Sequence, residues 1–370
     1  MPRNTFPLAK QIHRVPSMTV PLDATQEKRF QRLMEEIVMV DLHEHPLVWP
    51  ESPEHFVEYL RNGDYQWGYQ AVKHGGWAAV ATANVFRGMV HSHDISAIAF
   101  DDLVDELGMM LADLRQHPEA VQVSNAEDIV NARQQSRVGI LPTVEHLAIG
   151  ESLHHVDVLY ALGVRIAGLT YNRQNAMGCG LRERHDPGLS EFGIAVVQRM
   201  NDLGMAVDVS HAGFRTAMDA ITHSRVPIIY SHNAAHTLRP TWRTRQDEEL
   251  VACAKKGGLI AITAVPNSLS DDPRQNIHCV LDHYDYMVKL VGVEHVAIGT
   301  DTLVGDHVGF HCTMMGADRT TVPAPYLDGL ESPADGQNII RGLIVRGHAD
   351  AHIKQIAGGN ALNFFRRVMA

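Results

Sequence analysis

A (β/α)8 barrel, the TIM-barrel form of the α/β class, is the fold this sequence predicts. Three observations carry the prediction. Eight short apolar runs recur along the chain, helix-like segments separate most of them, and five of the eight runs end in a residue that can bind a metal. Eight parallel strands alternating with helices is the number that closes a barrel. At 370 residues the chain is long, but barrels with insertions exceed 200 residues as single domains, so one domain over residues 1–370 is expected.

The runs, in order, are Ile37–Leu42, Trp77–Ala83, Gly139–Val144, Val164–Thr170, Met205–Val209, Pro227–Tyr230, Leu259–Thr263 and Val296–Thr300. Each has strand length, and most are rich in Val and Ile, as strands buried on both faces should be. Between them, Phe100–Arg115 carries Leu and Met at helical spacing. Ser124 with Glu127 reads as a capping box opening a helix through Gln134. Helices follow at Leu189–Leu203, Phe214–His223, Asp247–Lys256 and Leu281–Val291, and two more around Gly358-Gly359-Asn360 in the tail. Pro50–His74 and Val304–Asn338 break the alternation and read as long loops or insertions at the barrel mouth. The runner-up is an open doubly wound sheet, but no glycine fingerprint follows the first strand.

Composition narrows the function classes. Apolar residues make up 45% and charged residues 20%, ordinary for a globular protein. The 43 acids outnumber the 32 bases, a net charge of −11 that argues against nucleic-acid and anionic-membrane partners. Four scattered cysteines, Cys179, Cys253, Cys279 and Cys312, form no paired motif and point to a reducing compartment. No apolar stretch reaches the roughly 20 residues of a membrane span, and the first 26 residues lack a signal-peptide core. The expected location is cytoplasmic.

With 23 histidines, one alone says little, so position relative to strands decides. The runs lead into His43-Glu44-His45, Glu145, His211, His232 and Asp301. Strand ends of a barrel converge on one mouth, so these side chains should meet there. His-x-His on a strand puts both imidazoles on one face. Imidazole suits zinc, and a carboxylate can bridge two ions. Other candidates are set aside. His91-Ser92-His93 follows no strand end, His154-His155 sits in an exposed helix, and Cys179 reads as a small buried residue. His307 and His311 lie in the irregular insertion, and lining of the pocket is their less favoured reading.

Eight stretches resemble one known family: VDLHEHP at 40–46, GILPTVE at 139–145, GVRIAGLTYN at 163–172, GLSEFG at 188–193, LGMAVDVSHAG at 203–213, VPIIYSHNAAH at 226–236, HVAIGTD at 295–301 and IAGGNALNF at 356–364. The resemblance is to the membrane (renal) dipeptidase family of zinc peptidases, within the amidohydrolase-type, metallo-dependent hydrolase barrels, in a microbial cytoplasmic branch. It implies that His43 and His45 bind one metal, Glu145 bridges two, and His211 and His232 bind the second. Asp301 would act as general base and proton shuttle. Arg243 falls where the family grips a substrate carboxylate, though a surface arginine beside Arg239 and Arg245 is an equal reading. The cofactor implied is Zn2+, one or two ions with a binuclear centre favoured. The implied partner is a small dipeptide-like substrate, and a homodimer is favoured.

The sequence departs from the family at three places. His45 replaces the usual aspartate, Tyr171 occupies the position of the substrate-polarising histidine, and Asp301-Thr302-Leu303-Val304 replaces an acidic signature. Tyr171, as catalytic and substrate-binding residue, and Asn172, as substrate-binding residue, are carried forward as candidates. Hydrolysis of a dipeptide amide is the expected activity. A lactonase or non-peptide amidohydrolase on the same site is the nearer alternative, and a non-catalytic metal-binding protein the more distant one.

Overall fold

The computed structural model describes residues 5–91, 95–314, 316 and 324–369. Ser92 and His93 therefore lie outside the described residues, as does part of the 304–338 insertion. Helix α1 (Ala24–Glu36) leads into strand β1 (Val40–Asp41). The remaining strands of the main sheet are β3 (Ala79–Ala81), β4 (Ala120–Gln122), β5 (Val138–Leu141), β6 (Thr143–Val144), β7 (Ile166–Gly168), β8 (Ala206–Asp208), β9 (Ile229–Asn233), β10 (Leu259–Ile262) and β11 (Val296–Ile298). A separate parallel pair joins β2 (His45–Val48) to β12 (Leu303–Val304).

Strand order in the main sheet is β4-β5-β3-β1-β11-β10-β9-β8-β7-β6, and every pair is parallel. Strand β5, next to one end of that order, and β6, at the other end, belong to one apolar run. Pro142, which has no N–H to donate, separates them. Residues 138–144 thus pair with β3 on one side and β7 on the other, and the expected eight runs close into a barrel. Strand β4, which the sequence did not suggest, adds to the outside of β5.

Most ladders are shorter than the apolar runs that hold them. The sixth run goes the other way, and β9 extends through His232 to Asn233. Alternate strand residues serve different layers. Val80, Ile140, Ala167, Val207, Ile260 and Ile298 pack with the surrounding helices. Ala79, Leu141, Ile166, Ala206, Leu259 and Ala297 join a second cluster with Phe364 and Phe365.

The helices fall close to expectation: α4 (Phe100–Leu114), α5 (Ala126–Gln134), α6 (His154–Ala161), α7 (Glu191–Leu203), α8 (Phe214–His223), α9 (Asp247–Lys255) and α10 (Ile277–Val291). The cap of α5 is one residue later than predicted. Asn125, in extended conformation, accepts from the Asp128 amide at 2.9 Å, and Ser124 instead donates its own amide to the Asp128 carboxylate.

The segment 50–74 is not a plain loop. It forms α2 (Phe56–Asn62), which buries Phe56, Tyr59 and Leu60, and α3 (Tyr69–His74). The second insertion carries α11 (His307–Met314) directly after β12. The tail folds as α12 (Gln337–Val345), α13 (Asp350–Lys354) and α14 (Asn360–Val368), one helix more than expected, with a wide turn at Gln355–Gly359. Trp77 Nε1 donates to the Pro333 carbonyl at 2.8 Å and ties the second insertion to the start of β3.

Candidate metal centre

Each candidate reaches the mouth from a different strand end. His43 stands beyond β1, His45 opens β2, Glu145 follows β6, His211 follows β8, His232 lies within β9 and Asp301 follows β11. The His-x-His pair is not on one continuous strand, contrary to expectation. The chain bends between β1 and β2, and the two rings meet edge to face with centroids 5.1 Å apart.

Glu145 is the hub. Its Oε1 lies 3.1 Å from His211 Nε2, 3.8 Å from His232 Nε2 and 3.9 Å from His43 Nε2, while Oε2 lies 3.9 Å from His45 Nε2. Asp301 Oδ1 is 3.2 Å from His45 Nε2 and 3.7 Å from His43 Nε2. Two overlapping groups, His43 with His45 and Asp301, and His43 with Glu145 and His232, each bring their donor atoms within 4.8 Å of one another. All six side chains are buried except Asp301, which is partly open to the cavity.

The far sides of the rings fix their tautomers. Ser231 Oγ donates its one proton to Asp208 at 2.6 Å. It can then only accept from His232 Nδ1, at 2.8 Å, and from His43 Nδ1, at 3.2 Å. His211 Nδ1 likewise faces the Asn172 side-chain oxygen at 3.2 Å. Protons on these three Nδ1 atoms leave lone pairs on the Nε2 atoms that point inward. His211 Nε2 and His232 Nε2 stand 3.0 Å apart, and His43 Nε2 is buried without a hydrogen-bond partner. Lone pairs facing each other at that distance call for a cation between them.

The electrostatics agree. Burial holds the pKa of His43, His211 and His232 well below the usual imidazole range, so the rings are neutral. Burial, with Asp301 as the next contributor, raises Glu145 well above the carboxylate range. Burial would raise Asp301 too, but its hydrogen bond to His45 and its nearness to the neighbouring imidazoles outweigh burial and hold it well below the ordinary value. The residues therefore fit a cation: buried imidazole donors, one strongly ionised carboxylate, and one whose ionisation burial opposes.

The backbone behind the centre is tight. Asp301 has φ +57, a left-handed conformation a non-glycine residue adopts at a cost, and its amide donates to the His43 carbonyl at 2.7 Å. A Cβ on Gly299 would come within 1.7 Å of the Ser231 carbonyl, so only glycine lets β9 and β11 approach here. Asp41 accepts from the His43 amide and from the Thr300 amide, each at 3.0 Å, and faces the Thr300 hydroxyl, which also faces Glu44 at 2.8 Å. One hydroxyl proton cannot serve both carboxylates. Burial pushes Asp41 up to about 7 and Glu44 well above the usual range, so one of the two keeps its own proton.

A cavity of about 550 Å³ opens over the centre, lined in part by Tyr171, Arg182, Arg239, Arg243, His307 and His311. Tyr171 stacks flat on His211, centroids 4.2 Å apart and planes 16° from parallel. Asn172 lines the cavity, though its oxygen is engaged with His211. Arg243 is no surface residue. Its Nη1 reaches the Ser210 carbonyl at 3.2 Å and its Nη2 reaches His211 Nε2 at 3.2 Å and the His232 carbonyl at 3.3 Å. Arg245 is buried against Glu249, and Arg239 pairs with Asp271. Cys179 is buried, and burial pushes its thiol up, which suits an inert residue.

Sequence reasoning missed Asp208 and Ser231, although a carboxylate inside the apolar run Met205–Val209 was a readable signal. It also undervalued His307 and His311, which line the cavity.

An amidohydrolase from Pseudomonas aeruginosa has the same fold, with a TM-score of 0.78 at 24% identity over 92% of this chain and 99% of that one. The probable dipeptidase PvdM of the same organism matches with a TM-score of 0.76 at 20% identity, covering 94% and 99%. These likenesses show that the barrel fold is shared. By sequence, an uncharacterised dipeptidase of Schizosaccharomyces pombe is 34% identical over 190 residues, 48% of this chain and 45% of that protein. The dipeptidase tcpJ of Claviceps purpurea is 28% identical over 247 residues, 66% and 54%. The chain thus spans about half the length of the curated relatives it matches. Residues 27–370 match the model of the membrane dipeptidase family, peptidase family M19, and the chain belongs to that family.

Proposed function

We propose that this chain is a metal-dependent hydrolase that cleaves the amide bond of dipeptides or similar small carboxylate-bearing amides. The observation that carries the reading is the pair of overlapping donor groups sharing His43, with inward-facing Nε2 lone pairs. The nitrogen and carboxylate donor set suits zinc, and two overlapping groups suit two ions. His43, His45 and Asp301 would hold the first, His211 and His232 the second, and Glu145 both. Bound there, zinc would lower the pKa of a water toward ~7 and polarise the scissile carbonyl.

The chain's own residues supply the rest. Asp301, kept ionised by His45 and His43, accepts a proton from the attacking water and returns it to the leaving amine. Its contact with His45 makes it a ligand candidate as well as a base. Arg243, aimed into the cavity between β8 and β9, holds the substrate carboxylate. The Tyr171 phenol, whose ring stacks on His211 and lines the cavity, would donate to the developing oxyanion. Asn172 and Ser231 orient imidazoles through their side-chain oxygens, and Asn172, which lines the cavity, stays a candidate for contact with substrate. No helix among the described residues is long and apolar enough to cross a membrane. The reading places the enzyme in the cytoplasm, where buried thiols such as Cys253 stay reduced, as a single barrel domain that pairs as a homodimer.

A second reading, hydrolysis of a lactone or a non-peptide amide at the same centre, is favoured by Tyr171 and by a cavity large enough for a drug-sized ligand. A panel of L,L- and L,D-dipeptides against lactones and N-acyl amines separates the two. The account expects kcat/KM to be highest for a free dipeptide. Turnover of lactones alone would overturn it in favour of the second reading.

A further inference from the structure

The cavity carries three guanidinium groups, and the proposed function uses one. Arg243 takes the substrate carboxylate, and Arg239 is paired with Asp271. Arg182 also lines the cavity, and among the described residues it makes no ion pair. Its main chain is bound to the backbone of the site. The Leu181 amide donates to the His211 carbonyl and the Arg182 amide to the Asn172 carbonyl, each at 2.9 Å. Gly180 pairs with Ala212, and a Cβ there would come within 2.1 Å of the Tyr171 carbonyl, so only glycine lets this segment lie so close.

The Arg182 guanidinium carbon stands 5.3 Å from the centroid of the Trp242 ring. Trp242 lines the same cavity, is 52% exposed and directly precedes Arg243 in the chain. Its loop is fixed from within. The Thr244 hydroxyl donates to the Arg239 carbonyl at 2.7 Å and accepts the Thr241 amide at 3.1 Å. Arg245 Nη1 donates to the Ala212 carbonyl at 2.7 Å, so the loops that carry Arg182 and Trp242 are both tied to Ala212. A guanidinium laid on an aromatic face keeps its in-plane N–H donors available, and these can hold a carboxylate in a bidentate contact. The chain as a whole carries a net charge of −11 and repels anions, so a cation at the cavity has to supply the local attraction.

We propose that Arg182, steadied by Trp242, determines specificity for substrates whose carboxylate-bearing half carries a second anionic group, such as the side chain of a C-terminal aspartate or glutamate. This rests on the hydrolase reading and names the substrate class of that same site. Arg243 holds the main-chain carboxylate, and Arg182 holds the one on the side chain. A neutral amide of the same shape keeps the first contact and loses the ionic part of the second. Because Arg182 is exposed, the preference weakens as salt screens it.

The test compares kcat/KM of the zinc-loaded protein for Gly-Glu against Gly-Gln and for Gly-Asp against Gly-Asn. The wild type should favour the acidic member of each pair on the order of 5-fold at low salt, the upper worth of an exposed ion pair, and the ratio should shrink as ionic strength rises. Arg182→Ala should bring the ratio toward one and remove its salt dependence, and Arg182→Glu should invert it. Arg182→Lys, which keeps the charge, should retain part of the preference and guards against an alanine variant that fails to fold. A wild-type ratio of one or below would overturn the proposal, as would a ratio that Arg182→Ala leaves unchanged in a protein that melts like the wild type. Turnover with equal rates within each pair sinks the subsite and leaves the hydrolase reading standing. If no dipeptide is turned over, the hydrolase reading falls, and the same ratios are read as calorimetric affinities for the uncleaved dipeptides. A preference that Arg182→Ala abolishes then supports the subsite, and equal affinities or no binding sink it.

Discussion

His43 and His45 sit two residues apart at a strand end, and His307 and His311 sit four apart on a helix, yet His45 lines the same cavity as His307 and His311. What holds them differs. The His43 amide donates to Asp41, its ring to Ser231, and the ladder of β1 fixes the backbone beneath it. The α11 pair depends on Phe310 among Trp49, Phe56 and Phe86. The barrel places its candidate ligands with directional polar contacts, and the insertion places its cavity wall with apolar packing. Loss of a polar partner at the strand ends should damage the chemistry itself. Changes in the wall should alter which molecule is accepted.

The largest effect should come from the strand-end group that bridges both roles. Asp301→Asn should lower kcat by about 10²–10⁴, the usual worth of a general base. Steady-state turnover of the best dipeptide checks it, and unchanged turnover would remove Asp301 from the mechanism. Next come the partners behind the rings. Ser231→Ala or Asp208→Asn frees the tautomers of His43 and His232 and should weaken zinc affinity by about 10–100-fold. Competition with a chelator reads this directly, and wild-type affinity would show that the hydrogen bonds to Nδ1 are idle.

On the wall, Arg243→Ala should raise KM for free dipeptides by roughly 10–100-fold through loss of charge-assisted hydrogen bonds, and spare substrates without a carboxylate. An equal loss on both classes would make Arg243 a structural residue. The smallest effect concerns the loop beside His45. Buried Glu106 accepts the amides of Val85 and Arg87, and burial pushes its pKa from 4.5 to about 7. A carboxyl raised on folding contributes stability that is full below 4.5 and is lost as pH rises through about 7. Glu106→Gln should therefore flatten the decline of melting temperature across that window. A slope identical to the wild type would show that Glu106 does not titrate there.

The same contrast explains what the sequence made legible. Glu145, His211, His232 and Asp301 could be found because each follows an apolar run, and a barrel gathers such ends without further information. The break at Pro142 and the β2–β12 pair could not be read, since both depend on which strands meet across the closure. Helix α11 escaped notice because its histidines and Gly309 interrupt the apolar pattern. They do so because one face of the helix meets a polar cavity. Only the packing of Phe310 on Trp49, over 200 residues away in sequence, shows where His307 and His311 go. Asp208 was within reach as a charged residue in a buried run. Its link through Ser231 to two rings required the three-dimensional register of β8 and β9.

The central claim is that the strand ends form a zinc centre that performs the hydrolysis. Metal content per chain in the purified protein, with dipeptide turnover measured before and after chelation, tests it most directly. The account predicts one to two zinc ions per chain by virtue of the two overlapping donor groups, loss of turnover on chelation and its return with added zinc. Full turnover in a metal-free preparation would contradict it.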